Sequence, residues 1–97
     1  MPRLHVRPAA GDDVVAAFEW YEAHRAGLGS QFADEISRTY AAIEAAPLRF
    51  PVVLDDIRMA MVRRFPYLVY FALLDDAVSV IAVLHGHRSP VAWRQRR

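Results

Sequence analysis

The sequence predicts an α+β fold of order β-α-α-β-β-β, an antiparallel helical hairpin packed on one face of a mainly antiparallel four-stranded sheet. Three observations carry this. The stretch RLHVR (3–7) alternates polar and apolar residues and stops at Pro8. Two runs of helical period follow, divided at Gly27 and closed at Pro47. Beyond Pro47 the apolar residues alternate or run on unbroken, and Asp75-Asp76 separates the two longest runs.

RLHVR suits a short first strand. From about Ala9 to Arg25, Val14, Phe18 and Tyr21 share one helical stripe. Asp12 and Asp13 fall in the first turn, where the helix dipole favours acids, Arg25 falls in the last, and Gly27 stops the helix. The second helix has the clearest pattern: Leu28, Phe32, Ile36, Tyr40 and Ile43 recur at four, four, four and three residues. Gln31, Asp34, Glu35, Arg38 and Glu44 make its polar outer face, and so short a connection makes the two helices antiparallel neighbours. IRMAMVRR (57–64) sets Ile57, Met59 and Met61 on one strand face and Arg58, Ala60, Val62 and Arg64 on the other. YLVYFALL (67–74) and AVSVIAVLH (77–85) are apolar on both faces, as central strands are, with a tight turn at Asp75-Asp76 between them. Pro90 ends the last strand's influence, and the tail VAWRQRR, frayed over residues 94–97, holds at most one helical turn.

Length and composition narrow the function. A chain of 97 residues reads as a single domain, 1–97. A chain this size buries roughly 60–70% of its unfolded surface, enough for one core. Its apolar fraction of 55% argues against disorder. Without cysteine, disulfides and thiolate metal sites are excluded. No stretch reaches the ~18 apolar residues a membrane span needs, and MPRLHVRP lacks the apolar middle of a signal peptide. A cytoplasmic protein is the expectation. Residues 1–48 carry four arginines against seven acids, and residues 49–97 carry eight against four. Coding bias accounts for the absence of lysine but not for this asymmetry, and a basic second half suggests an acidic or nucleic-acid-associated partner.

The stretch VLHGHRSPVAW (83–93) opens an apolar run into two histidines and an arginine. In a strand, residues 85 and 87 point the same way, but a structural zinc site needs four ligands. His5 adds a third if the first strand neighbours the last, and His24 closes a helix. No metal and no cofactor are expected.

WYEAHRAGLGSQFADEI (20–36), FP (50–51), VRRFPYLVYF (62–71) and VSVIAVLHGHRSPVAW (78–93), in that order, resemble the RelE/ParE superfamily of bacterial type II toxins, also known as plasmid stabilisation proteins. The resemblance spans Val6 to Trp93. It implies a helical hairpin on an antiparallel sheet, with the first strand beside the last. It also implies an antitoxin partner and one of two activities. RelE-like members cut messenger RNA on the ribosome; ParE-like members bind and inhibit DNA gyrase. Fold does not choose between them.

Chemistry narrows the choice. Attack by an RNA 2′-hydroxyl needs a base, positive charge on the phosphate and an acid for the leaving oxygen. RelE-like members use lysines and arginines, often with a tyrosine near the carboxy end. This chain has no lysine, and its carboxy-terminal aromatic is Trp93, whose indole exchanges no proton near neutrality. Arg63, Arg64 and Arg88 suit a phosphate but are poor bases, and only His85 and His87 transfer protons near neutral pH. The expectation is a ParE-like toxin that binds gyrase and arrests growth without being an enzyme. A ribosome-dependent endoribonuclease acting on mRNA through His85, Arg64 and Arg88, or an inactive family member, is the alternative. The expected target surface is Arg63, Arg64, His85, Arg88 and Trp93, with Trp20 as the antitoxin anchor. No membrane contact is expected, and no sequence-specific DNA binding by this chain alone. The structural counterparts are a His85 held by a backbone carbonyl, and Arg63-Arg64 solvated or paired with Asp75, Asp76 or a glutamate. Tyr67, Tyr70, Met59 and Met61 then serve packing.

Overall fold

Pro8 ends the first strand because it lacks a backbone donor, and it begins a helix because the first helical position needs none. The computed structural model describes residues 3–87 and Arg96. Its elements are β1 (Arg3–Val6), α1 (Pro8–His24), α2 (Leu28–Ala45), a 3₁₀ turn (Pro47–Arg49), β2 (Val52–Leu54), β3 (Ile57–Met61), β4 (Tyr67–Leu74) and β5 (Ala77–His85). The strands lie in the order β1-β5-β4-β3-β2. The helical hairpin on a sheet, with the first strand beside the last, is as expected, and β4 and β5 have the expected bounds.

The sheet differs from expectation in two respects. It has five strands, and β1 runs parallel to β5 while the other three pairings are antiparallel. The added strand, β2, is only three residues long and too short to show alternation. Its turn repeats a signal found elsewhere in the chain. Leu54 pairs with Ile57 around Asp55-Asp56, and Leu74 pairs with Ala77 around Asp75-Asp76. In both turns the first aspartate has φ 50, a left-handed conformation aspartate tolerates.

Because α1 starts at Pro8, its first turn holds no acid, and Asp12 and Asp13 do not serve the helix dipole as expected. Asp13 instead serves the sheet. Its Oδ2 accepts the amide of Val83 at 3.0 Å, and the carboxylate takes two nitrogens of Arg96 at 2.5 and 3.0 Å. On α2, Glu44 accepts the amide of Leu4 at 2.9 Å. Each helix thus supplies one acid to a strand donor that has no strand partner, which blunts the sheet edge.

The hairpin is locked by Glu22, whose two carboxylate oxygens accept the amides of Gly27 and Gly29, both at 2.9 Å. Gly27 has φ 88, and at Gly29 a Cβ would lie 2.8 Å from the Phe18 carbonyl oxygen, so the helices meet where no side chain fits.

Phe32, Ile36 and Ile43 of α2 pack with Val69, Phe71 and Val80 of the sheet in the main core. A second buried cluster, with Ile57, Tyr70, Ile81 and Leu84, lies on the opposite sheet face, which is why β4 and β5 are apolar on both sides. A bulge in β5 decides which way its last residues face. Phe71 pairs with Val80 and Tyr70 with Ala82, so Ile81 is an extra residue. Val80 and Val83 therefore both join the helix-side core, and the same parity places His85 opposite Tyr67. Without the extra residue His85 would point to the other face. Among the described residues no helix is long and apolar enough to cross a membrane.

Candidate functional site

The β3–β4 connection (62–66) is pinned to the helical hairpin by aromatic rings. Phe65 meets Tyr21 at 5.0 Å and Phe32 at 5.2 Å, and Tyr67 meets Phe32 at 5.1 Å, all edge to face. This anchor fixes the turn that carries Arg63 and Arg64. The strand expected over 57–64 is shorter than its alternation suggests: β3 ends at Met61, and Arg64 takes φ 71 in the turn.

Arg64 turns toward α2. It donates to Gln31 Oε1 at 3.3 Å, and its other terminal nitrogen lies 3.8 Å from Glu35. Arg38 approaches the same carboxylate at 3.3 Å. Glu35, expected on the polar outer face, is buried with its side chain 5% exposed. Its place beside the Phe32–Ile36 stripe was visible in the spacing, but the arginines that cover it come from a turn and from the next helical step. Arg64 is thus paired with a glutamate and not with Asp75 or Asp76, which sit in the turn at the opposite end of β4. Arg63 is exposed and has no hydrogen bond or ion pair among the described residues.

His85 closes the same end of the sheet, where the amide of Gly86 donates to the carbonyl of Pro66 at 2.8 Å. The His85 ring meets Tyr67 at 5.5 Å and stacks on His87 at 5.1 Å. Its Nδ1 accepts the amide of His87 at 3.1 Å, so a backbone donor holds it, not the expected carbonyl. The neutral ring then carries its proton on Nε2, and its only acceptor nitrogen is already engaged. His5 does not join the two: it pairs with Ser79, near the far end of β5. Among the described residues no group of three or more His, Cys, Asp or Glu could hold a metal.

Arg63, Arg64 and His85 are therefore gathered at one sheet end. Arg88 and Trp93, the other expected target residues, lie outside the described residues. Trp20 stands beside the aromatic anchor on the outer side of α1, 57% exposed. It stacks on His24 at 3.8 Å, and His24 Nδ1 donates to the Trp20 carbonyl at 2.8 Å, which keeps the indole flat along the helix. The helix tyrosines offer no base. Burial pushes the Tyr40 hydroxyl up to about 12, with the Asp13 charge adding to it, and burial and Tyr67 raise Tyr21. Among the described residues the site gathers two arginines with a histidine whose acceptor nitrogen is already engaged, beside His87 in the turn. Guanidinium donors of this kind suit binding acidic groups.

The family model described as ParE toxin of type II toxin-antitoxin system, parDE, matches residues 4–90. The chain belongs to the ParE toxin family. Two relatives named Toxin ParE2, from Mycobacterium tuberculosis strains CDC 1551 / Oshkosh and ATCC 25618 / H37Rv, are 30% identical over 98 residues, covering 93% of this chain and 87% of theirs. A solved structure of the chromosomal ParDE TA system from P. aeruginosa matches with a TM-score of 0.79 over 88% of this chain and 96% of that one. At 13% identity that likeness is one of fold. It accords with the five-stranded mixed sheet and the helical hairpin of this ParE-type toxin.

Proposed function

We propose that this ParE-type toxin inhibits DNA gyrase by binding it, cuts no RNA, and is held silent in the cytoplasm by a cognate antitoxin. The observation that carries this reading is the state of His85. Its ring stands at the arginine-bearing end of the sheet, at the last paired position of β5, and its acceptor nitrogen is taken by the His87 amide. A general base needs that nitrogen within hydrogen-bond reach of the proton it removes. Family membership supports the toxin reading, and the ParDE system of the fold neighbour supports an antitoxin partner.

Two surfaces suit the antitoxin. One is the flank of α1 that carries Trp20, 57% exposed, a fitting anchor for an apolar segment. The other is the open edge of β2, where Val52 and Val53 are also exposed and a strand can be added. Co-expression with the product of a small adjoining reading frame is expected to relieve growth arrest. Hydrogen exchange on the purified pair is expected to slow further at residues 15–24 or 52–54. Added protection confined to other segments would remove both surfaces.

A further inference from the structure

We infer that the cleft between α2 and the outer end of β3 is a carboxylate-recognition site, which takes an acidic side chain flanked by apolar residues from an extended segment of a protein partner. The cleft has a volume of about 220 Å³, and Glu35, Arg38, Thr39, Phe50, Met61 and Arg63 line it. Its charge arises from a structural need. Glu35 is buried, and a buried carboxylate must be paired. Arg38 and Arg64 pair it, yet their side chains are 73% and 59% exposed. A guanidinium has five N–H donors. Arg38 makes one contact with Glu35, and Arg64 uses two nitrogens, on Gln31 and Glu35. Arg63 uses none among the described residues. The Thr39 hydroxyl already donates to the Glu35 carbonyl at 2.8 Å. Two arginines thus pair the one carboxylate, Arg63 adds a third positive side chain to the cleft wall, and Arg38 and Arg64 keep most of their side-chain surface exposed.

The floor is the half-buried Phe50. Met61, 74% exposed, borders it from the strand edge, because its pairing with Leu68 sets its side chain on the sheet face of Met59, away from α2. Methionine adapts its shape to what covers it. Register leaves the cleft open from the side. β2 pairs with β3 only as far as Arg58, and the next outward amide, Met59, donates to Pro51, so Met61 stands on an uncovered edge. Pockets for whole small ligands begin at about 300 Å³. This one has room for a side chain, not for a nucleotide. Basic walls over an apolar floor match a carboxylate next to an apolar residue. Under the proposed function the antitoxin supplies that segment, and the inference rests on that reading for the partner's identity alone.

Nitrogen-15-labelled protein titrated with the blocked peptides Ac-Leu-Glu-Leu-NH2 and Ac-Leu-Gln-Leu-NH2 provides the test, with sodium phosphate as a third titrant. The acidic peptide is expected to shift the amides of Thr39, Ala42, Met61 and Arg63 with a Kd of roughly 1 mM. The glutamine peptide should bind at least about tenfold more weakly, and Arg63→Ala, an exposed change that spares the fold, should weaken the acidic peptide by about tenfold. Equal shifts from both peptides, shifts on other surfaces, or no shift at about 10 mM would overturn the inference. Phosphate matching the acidic peptide at the same amides would overturn the peptide assignment in favour of a free anion. Neither gyrase nor antitoxin enters the experiment, so its failure leaves the toxin reading standing.

Discussion

Ile36→Asp is expected to abolish the folded state. Ile36 is 3% exposed, midway along the α2 stripe that faces the sheet, with Phe32 one turn before it and Tyr40 one turn after. An unpaired carboxylate there is stripped of water and gains no partner, which costs several kcal/mol, to which lost apolar packing adds about 1–3 more. A domain of this size is stable by only about 5–15 kcal/mol, so the change consumes most of the margin. Urea titration followed by circular dichroism should show no cooperative transition. Ile36→Val, which removes one methyl, should unfold cooperatively at a cost of about 0.5–1.5 kcal/mol. A soluble, helical, cooperatively unfolding Ile36→Asp protein would contradict the register of α2 on the sheet.

His85→Gln is expected to stay toxic. Glutamine keeps an acceptor for the His87 amide and a donor nearby, but it moves no proton at neutral pH. Arg64→Ala should cause a larger loss, since a charge-assisted hydrogen bond contributes about 1.5–3 kcal/mol. Arg88→Ala, argued from sequence, belongs with it. Arg64→Ala also leaves the buried Glu35 with Arg38 as its remaining partner, so the variant must first be shown to fold and to bind antitoxin. A nuclease with His85 as base or acid gives the reverse order. There His85→Gln alone loses about 10²–10⁴-fold in rate. Growth arrest by the two folded variants, at matched expression, decides which order holds.

Much of this was legible because periodicity follows geometry. The stripe from Leu28 to Ile43 and the two continuous runs of β4 and β5 mark buried faces directly. What escaped depends on contacts between distant residues. Three-residue β2 had no period to read, although Leu54-Asp55-Asp56-Ile57 repeats the turn already recognised at Leu74-Asp75-Asp76-Ala77. The β5 bulge at Ile81, which turns His85 toward the helix side, has no signature in an all-apolar run. Asp13 looked like a dipole partner because local rules see only its own helix; its actual partners are Val83 and Arg96, far along the chain. Glu35 looked solvated for the same reason. Its burial depends on Arg64 reaching back from the β3–β4 turn.

The central claim is that this ParE-type toxin acts on gyrase by binding. Purified, antitoxin-free protein should be assayed on gyrase supercoiling of relaxed plasmid and, side by side, on translating ribosomes programmed with a defined mRNA. Loss of supercoiling by both the wild-type and the His85→Gln proteins, with the mRNA left intact, is the predicted result. Ribosome-dependent cleavage of the mRNA that disappears in the folded His85→Gln variant, with supercoiling unaffected, would contradict it.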